Sequence, residues 1–291
     1  MTQLSANPGF YIFNLHIAWY GVLIALGMLV AVVFCYFFAK RRGIKPDDFI
    51  TVALIVIPLA VIGARVYYIA FSGRSWTFLE AIKIWEGGMA IYGGVIGGAI
   101  GLLIACLIKK KNFFDFADVI VPGLILAQAI GRWGNFINQE AYGWAVDNPS
   151  LQGFPFAVFI EHCTQEGCLC AGSGWHLATF FFESYLNLIG FFVLLLLLMF
   201  CKKRGVVVAG YFIWYGVVRA VVETFRTDAL FIGNTTLRVS QLLSIILAIA
   251  GVCMLLWIYL YPKFKNRKKK EKSSSNVWQV DFNLLTYGRF L

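Results

Sequence analysis

A chain of 291 residues that is 60% hydrophobic and only 14% charged is not a soluble globular domain, in which about a quarter of residues carry charge. The formal net charge of +10 does not point to nucleic acid either, because the basic residues sit in short clusters between apolar runs. The composition predicts an all-α polytopic membrane protein with little chain left for a separate soluble domain.

About 20 apolar residues cross the hydrocarbon core of a bilayer. Seven runs of that kind lie near residues 15–39, 49–72, 88–108, 116–138, 177–201, 206–225 and 239–261. The first is read as a span rather than a cleaved leader, since residues 1–14 hold no Lys or Arg and the run is too long for a signal h-region. Basic clusters follow the first span (KRRGIK), the third (Lys109–Lys111), the fifth (Lys202–Arg204) and the seventh (KFKNRKKKEK). By the positive-inside rule the N-terminus lies outside and the C-terminus inside. Residues 1–262 then form a seven-span membrane domain whose 139–176 segment faces outward. Residues 263–291 form a basic, partly disordered cytoplasmic tail ending in an aromatic stretch with no evident role. There is no internal repeat.

Charged side chains at bilayer depth are costly and usually functional. The stretch AIGRWGNFINQEAYGW, residues 129–144, places Arg132, Asn135, Asn138 and Glu140 at the end of the fourth span. At 1.5 Å per residue, Arg132 stands about 24 Å along that span, Arg65 about as far along the second, and Arg219 about 20 Å along the sixth. Tyr92 enters one turn into the third span, and Trp19 and Tyr20 one turn into the first. Residues of five spans thus share the outer half of the bilayer.

Arg132, Asn135 and Gln139 follow one helical stripe, as do Tyr215, Arg219, Glu223 and Arg226. Arg219 and Glu223 are spaced for an ion pair, which could be a structural clamp or part of a site. Arg132 has no acid at i±3 or i±4. Its partner must come from another span, a backbone carbonyl or a ligand, and an anionic ligand is the more economical expectation.

Gly93, Gly97 and Gly101, with Gly94 and Gly98 beside them, form a small-residue ladder for close helix packing. No strand precedes them, so a cofactor loop is not expected. On position alone, Trp19 and Tyr20 read as interfacial aromatics. The outward segment carries His162, Cys163, Cys168, Cys170 and His176, but no C-x-x-C pair, so a loop disulfide is expected rather than a metal site. Cys35, Cys106, Cys201 and Cys253 read as small apolar fillers.

The motif GRWGNFINQEAYG resembles the signature of the prolipoprotein diacylglyceryl transferase family. AWYG (18–21), GARVYY (63–68), WEGGMAIYGGVIGG (85–98), TFFFES (179–184) and WYGVVRAVVETFR (214–226) stand in that family's order and spacing. The resemblance implies a seven-span enzyme of the bacterial cytoplasmic membrane, with its active site toward the outer leaflet and no metal or soluble cofactor. It implies transfer of the sn-1,2-diacylglyceryl group of phosphatidylglycerol to the lipobox cysteine of a prolipoprotein, forming a thioether and releasing glycerol 1-phosphate. Carried over residue by residue, the phosphatidylglycerol-binding arginine falls on Arg132, its amide on Asn135, the acidic residue on Glu140 and the glycine on Gly143. The second arginine falls on Arg219, its companions on Tyr215 and Glu223, and the first-span tyrosine on Tyr20. The expected catalytic set is Arg132, Arg219, Tyr92, Asn135, Tyr20, Glu140 and Glu223. The expected substrate-binding set is Arg132, Asn135, Gly143, Tyr215 and Arg65.

Three positions depart from the family pattern. Tyr92 and Ala18 stand where many members have histidine, and His176-Leu177 stands where they have His-Pro. The first departure replaces a proposed histidine base by a hydroxyl. A transporter or channel for an anionic solute is the competing reading, since intramembrane arginines and glycine-rich helices occur there too. The clustering of polar residues in one half of the bilayer argues against it.

Overall fold

A computed structural model describes residues 9–13, 15–84, 87–160, 174–227, 231 and 238–262. A hairpin of β1 (Gly9–Ile12) and β2 (Leu15–Ala18) leads into α1 (Trp19–Phe38), which ends in a 3-10 turn, Ala39–Arg42. Then come α2 (Pro46–Phe71), the short α3 (Phe78–Ile82), α4 (Ile91–Lys109) and α5 (Phe113–Ile137). A second hairpin, β3 (Ala157–Ile160) with β4 (Gly174–Leu177), precedes α6 (Thr179–Phe200), α7 (Val206–Phe225) and α8 (Val239–Pro262). Among the described residues seven helices are long and apolar enough to cross a membrane, as expected. Cys163, Cys168 and Cys170 and the C-terminal tail lie outside the described residues.

Two boundaries move for physical reasons. Residues 15–18 are apolar but pair as strand β2, so the first helix starts at Trp19. The third span starts at Ile91 because Gly87 and Gly88 hold φ of +89° and +73°, outside the helical region.

The helices pack in pairs. α2 lies along α4 at a separation only glycine permits: a Cβ on Gly63 would stand 2.5 Å from the Gly93 carbonyl, and one on Gly97 would meet the Leu59 carbonyl. The ladder therefore packs, as its sequence implies. α1 lies along α5, with Gly27 against Ala127 and Gly123 against Ala31 and Cys35. α5, α6 and α7 form the centre, where Val119, Ile125, Leu194 and Val207 are fully buried.

Asp118 of α5 fixes the start of α7. Fully buried, it accepts from the Gly205 and Val208 N–H groups at 2.8 and 3.1 Å, capping α7 from another helix. Arg42 balances its charge at 3.0 Å. These contacts hold in register the helix that carries Tyr215, Arg219 and Glu223.

Candidate active site

At the opposite end of α5, three helices bring four charges together. Glu183 of α6 lies between the two arginines: Oε1 stands 2.6 Å from Arg132 Nη2, and Oε2 stands 3.0 Å from Arg219 Nη1. Arg219 extends its other nitrogen to Glu223 Oε2 at 2.8 Å, the i,i+4 pair that spacing predicts. Both carboxylates are 2% exposed at the side chain, whereas Arg132 keeps 17% and Arg219 13%. The acids therefore line the inside of the cluster and the guanidinium groups form its open edge.

The protein partner of Arg132 is thus Glu183, from another span, one of the sources its spacing leaves open beside an anionic ligand. The sequence holds a signal for it, since Glu183 is the sole charged residue of the 22-residue helix α6. Its pairing with Arg132 crosses helices and so leaves no trace in local spacing. Two further contacts hold α6 against α5 beside it: Trp133 Nε1 donates to Ser184 Oγ at 3.2 Å, and Ser184 donates to the Ala129 carbonyl at 2.8 Å.

The amides extend the cluster outward. Asn135 Oδ1 accepts a long bond from Arg132 at 3.4 Å, while its Nδ2 donates to Glu140 Oε1 at 3.0 Å. Asn138 Nδ2 reaches the same oxygen at 3.4 Å. Glu140 is aimed back at these amides by an unusual turn: Gln139 and Ala141 hold φ of +51° and +57°. Each such conformation costs about 1–3 kcal/mol and tends to persist where surrounding contacts over-determine it.

Two tyrosines complete the arrangement. The ring of Tyr20 lies on Gly134, where a Cβ would stand 2.5 Å from ring carbon Cδ2, and Arg132 and Glu140 both act electrostatically on its hydroxyl. It is thus more than an interfacial aromatic. Tyr215, one turn before Arg219 on α7, stands in the field of Glu183, Arg132 and Arg219. One turn further in, Gln128 donates to the Tyr211 hydroxyl at 3.0 Å, and Tyr211 stacks on Tyr215.

Three expected residues stand differently. Arg65 is buried and directs its donors to the carbonyls of residues 80–88: Nε to Ala81 at 2.9 Å, Nη1 to Gly87 and Gly88 at 2.6 and 2.9 Å, and Nη2 to Glu80 at 2.6 Å. Arg65, expected in the headgroup site, thus stands at a height matching Arg132 with its guanidinium clamping the loop before α4. Gly143, also expected to bind substrate, is a close-packing position. A Cβ there would stand 2.8 Å from both Leu177 Cβ and Thr179 Cγ2. Its N–H donates to the Leu177 carbonyl at 2.9 Å, and its carbonyl faces His176 Nδ1 at 3.0 Å. Tyr92 is exposed at the start of α4, its ring 6.2 Å from that of Tyr67. Among the described residues its hydroxyl has no hydrogen-bond partner.

Among the described residues no group of three or more His, Cys, Asp or Glu could hold a metal ion. Seven apolar helices among the described residues, with paired arginines and glutamates gathered at one end, define a polytopic membrane protein with an ionisable site. A profile of the prolipoprotein diacylglyceryl transferases matches residues 9–257. A phosphatidylglycerol–prolipoprotein diacylglyceryl transferase of Lactobacillus johnsonii is 42% identical over 266 residues, covering 88% of this chain and 91% of the relative. Those of Streptococcus agalactiae (41% over 248 residues, 83% and 91%) and Lactobacillus delbrueckii subsp. bulgaricus (41% over 270 residues, 90% and 94%) are similarly close. The chain belongs to the prolipoprotein diacylglyceryl transferase family.

Proposed function

We propose that the protein transfers the diacylglyceryl group of phosphatidylglycerol to the lipobox cysteine of prolipoproteins at the outer leaflet of a bacterial cytoplasmic membrane. The observation that carries this reading is the pair of arginines, held at one depth by a shared buried carboxylate, with their guanidinium edges facing outward from it. Two rigid forks of this kind suit a phosphate.

In the reaction the cysteine sulfur attacks the glycerol carbon bearing the phosphate. The carbon–oxygen bond breaks with its electron pair staying on oxygen, and glycerol 1-phosphate departs. Negative charge grows on the phosphate, where Arg132 and Arg219 stabilise it. Glu183 and Glu223 hold the two guanidinium groups in place before the lipid arrives, so little reorganisation accompanies the charge shift. Asn135 and Glu140 fix the outer side of Arg132, and the hydroxyls of Tyr20 and Tyr215 complete the polar lining.

The thiol must lose its proton, which in the balanced reaction ends on the phosphate of the departing glycerol 1-phosphate. An unperturbed cysteine titrates near 8.5, and the field of two arginines lowers that value. Tyr92, whose hydroxyl stands at the outer start of α4, orients the incoming groups.

Incubating the purified protein with phosphatidylglycerol labelled in its acyl chains and a lipobox peptide tests the reading. Label should appear on the cysteine in a thioether, with glycerol 1-phosphate released in equal amount. Absence of transfer by folded protein, or label passing across the membrane without reaction, would overturn it in favour of a transporter.

A further inference from the structure

At the end of the bundle away from the arginine site, α1 and α2 diverge. Each is drawn to a different partner, α1 to α5 and α2 to α4, and a groove of about 560 Å³ is left between them. Val33, Tyr36 and Phe37 line one wall, and Phe49, Ala53 and Pro58 line the other. Pro58 sits inside α2, where it removes one helix hydrogen bond and favours a bend. The groove volume falls in the range of small-molecule sites.

The basic turn 39–45 joins the two helices that wall the groove. Tyr36 and Phe37 lie about one helical turn before Lys40 and Arg41, and Phe49 about one turn after Lys45. Most other cations at this end are occupied. Arg42 pairs with Asp118, Lys109 and Lys111 with Asp48, Arg204 with Asp115, and Lys203 lies over Tyr259. Lys40, Arg41 and Lys45 are exposed and have no acidic partner among the described residues. The acid remaining beside them, Asp47, is itself exposed, which leaves an excess of positive charge at this turn.

We propose that this groove binds an anionic phospholipid of the leaflet on the basic side of the membrane. One acyl chain lies between α1 and α2 against Ala53, and the phosphate headgroup rests on Lys40, Arg41 and Lys45. An acyl chain suits the shape better than a partner helix: close helix docking needs a stripe of small residues, and here three aromatic rings line the walls. The charge of the turn selects an anionic headgroup over a zwitterionic one. The site is separate from the arginine cluster. Asp118, which pairs with Arg42 of the turn, and Arg132 lie on the same helix about 21 Å apart. The proposal does not depend on the transferase reading.

The test uses full-length protein in phosphatidylcholine nanodiscs containing a trace of lipid with a photoactivatable acyl chain, either phosphatidylserine or phosphatidylcholine. Cross-links are mapped by mass spectrometry. The phosphatidylserine probe should label residues 32–58 at least about fivefold more than the phosphatidylcholine probe, the effect of a single basic residue at an anionic surface. Combined Lys40→Gln, Arg41→Gln and Lys45→Gln should remove that preference. Ala53→Trp, which fills the groove, should suppress labelling by both probes there, while Arg132→Ala leaves it unchanged. Equal labelling of the wild type by the two probes would overturn the proposal, as would labelling unaffected by the three glutamines. Absence of labelling at residues 32–58 by either probe, in protein that sediments as a dimer, would overturn it in favour of a second copy.

Discussion

Replacing Glu183 by glutamine changes one oxygen to an amide and removes the charge that both arginines share. Arg132 loses its acidic partner at 2.6 Å, while Arg219 loses one at 3.0 Å and keeps Glu223 at 2.8 Å. The four-charge cluster passes from neutral to a net charge of +1. Breaking a buried ion pair by removing one partner costs about 3–5 kcal/mol. Arg132 and Arg219 retain 17% and 13% exposure and so keep some solvation, and glutamine retains one acceptor. The expected loss of stability is therefore about 2–4 kcal/mol. Activity should fall as well, because a displacement of about 1 Å in a positioning group costs on the order of 100-fold in rate. Thermal unfolding in detergent reads the first effect, and single-turnover transfer with saturating lipid reads the second. A double-mutant cycle should show stronger coupling of Glu183 to Arg132 than to Arg219, since Arg219 has a second acid. A Glu183→Gln protein with wild-type stability and rate would refute the view that this carboxylate organises the site.

Other outcomes follow from the same geometry. Arg65→Lys should destabilise the loop before α4, with faster proteolysis between residues 72 and 90, and lower turnover only in proportion to folded protein; a specific loss of lipid binding would return Arg65 to the headgroup site. Gly143→Ala forces a methyl against Leu177 and Thr179, and should lower stability by about 1–3 kcal/mol in thermal unfolding. The Thr77 N–H and hydroxyl, helped by Arg74 and Lys83, hold the Glu80 carboxyl below its usual range. The capping contact before α3 should therefore be fully present above the ordinary glutamate value near 4.3 and be lost as pH falls through the lowered value. Amide exchange at Thr77 against pH, compared with Glu80→Gln, reads this directly.

The helical bundle could be read from the sequence because crossing a bilayer imposes a length and an apolar composition that survive without any tertiary information. The Arg219–Glu223 pair could be read for a similar reason, since both residues lie on one helix at a fixed interval. The Arg132–Glu183 pair could not, because no sequence interval links α5 to α6. Arg65 shows the limit of reasoning from depth alone. Counting residues along a helix gives height but not the direction a side chain takes around the axis, and Arg65 turns toward residues 80–88. Gly143 was found through a family motif that marks a position without saying whether substrate or packing requires it. On position alone Tyr20 was hidden near the membrane interface, where aromatic residues are common, and only the family motif singled it out. Its packing on Gly134, beside Arg132, separates it from that background.

The central claim is that Arg132 and Arg219, held by Glu183, bind the lipid phosphate and stabilise its departure. Single-turnover transfer from labelled phosphatidylglycerol to a lipobox peptide should be abolished in Arg132→Ala and remain poor in Arg132→Lys, whose point charge cannot reproduce the planar fork. Near-wild-type transfer by folded Arg132→Ala protein would contradict the account.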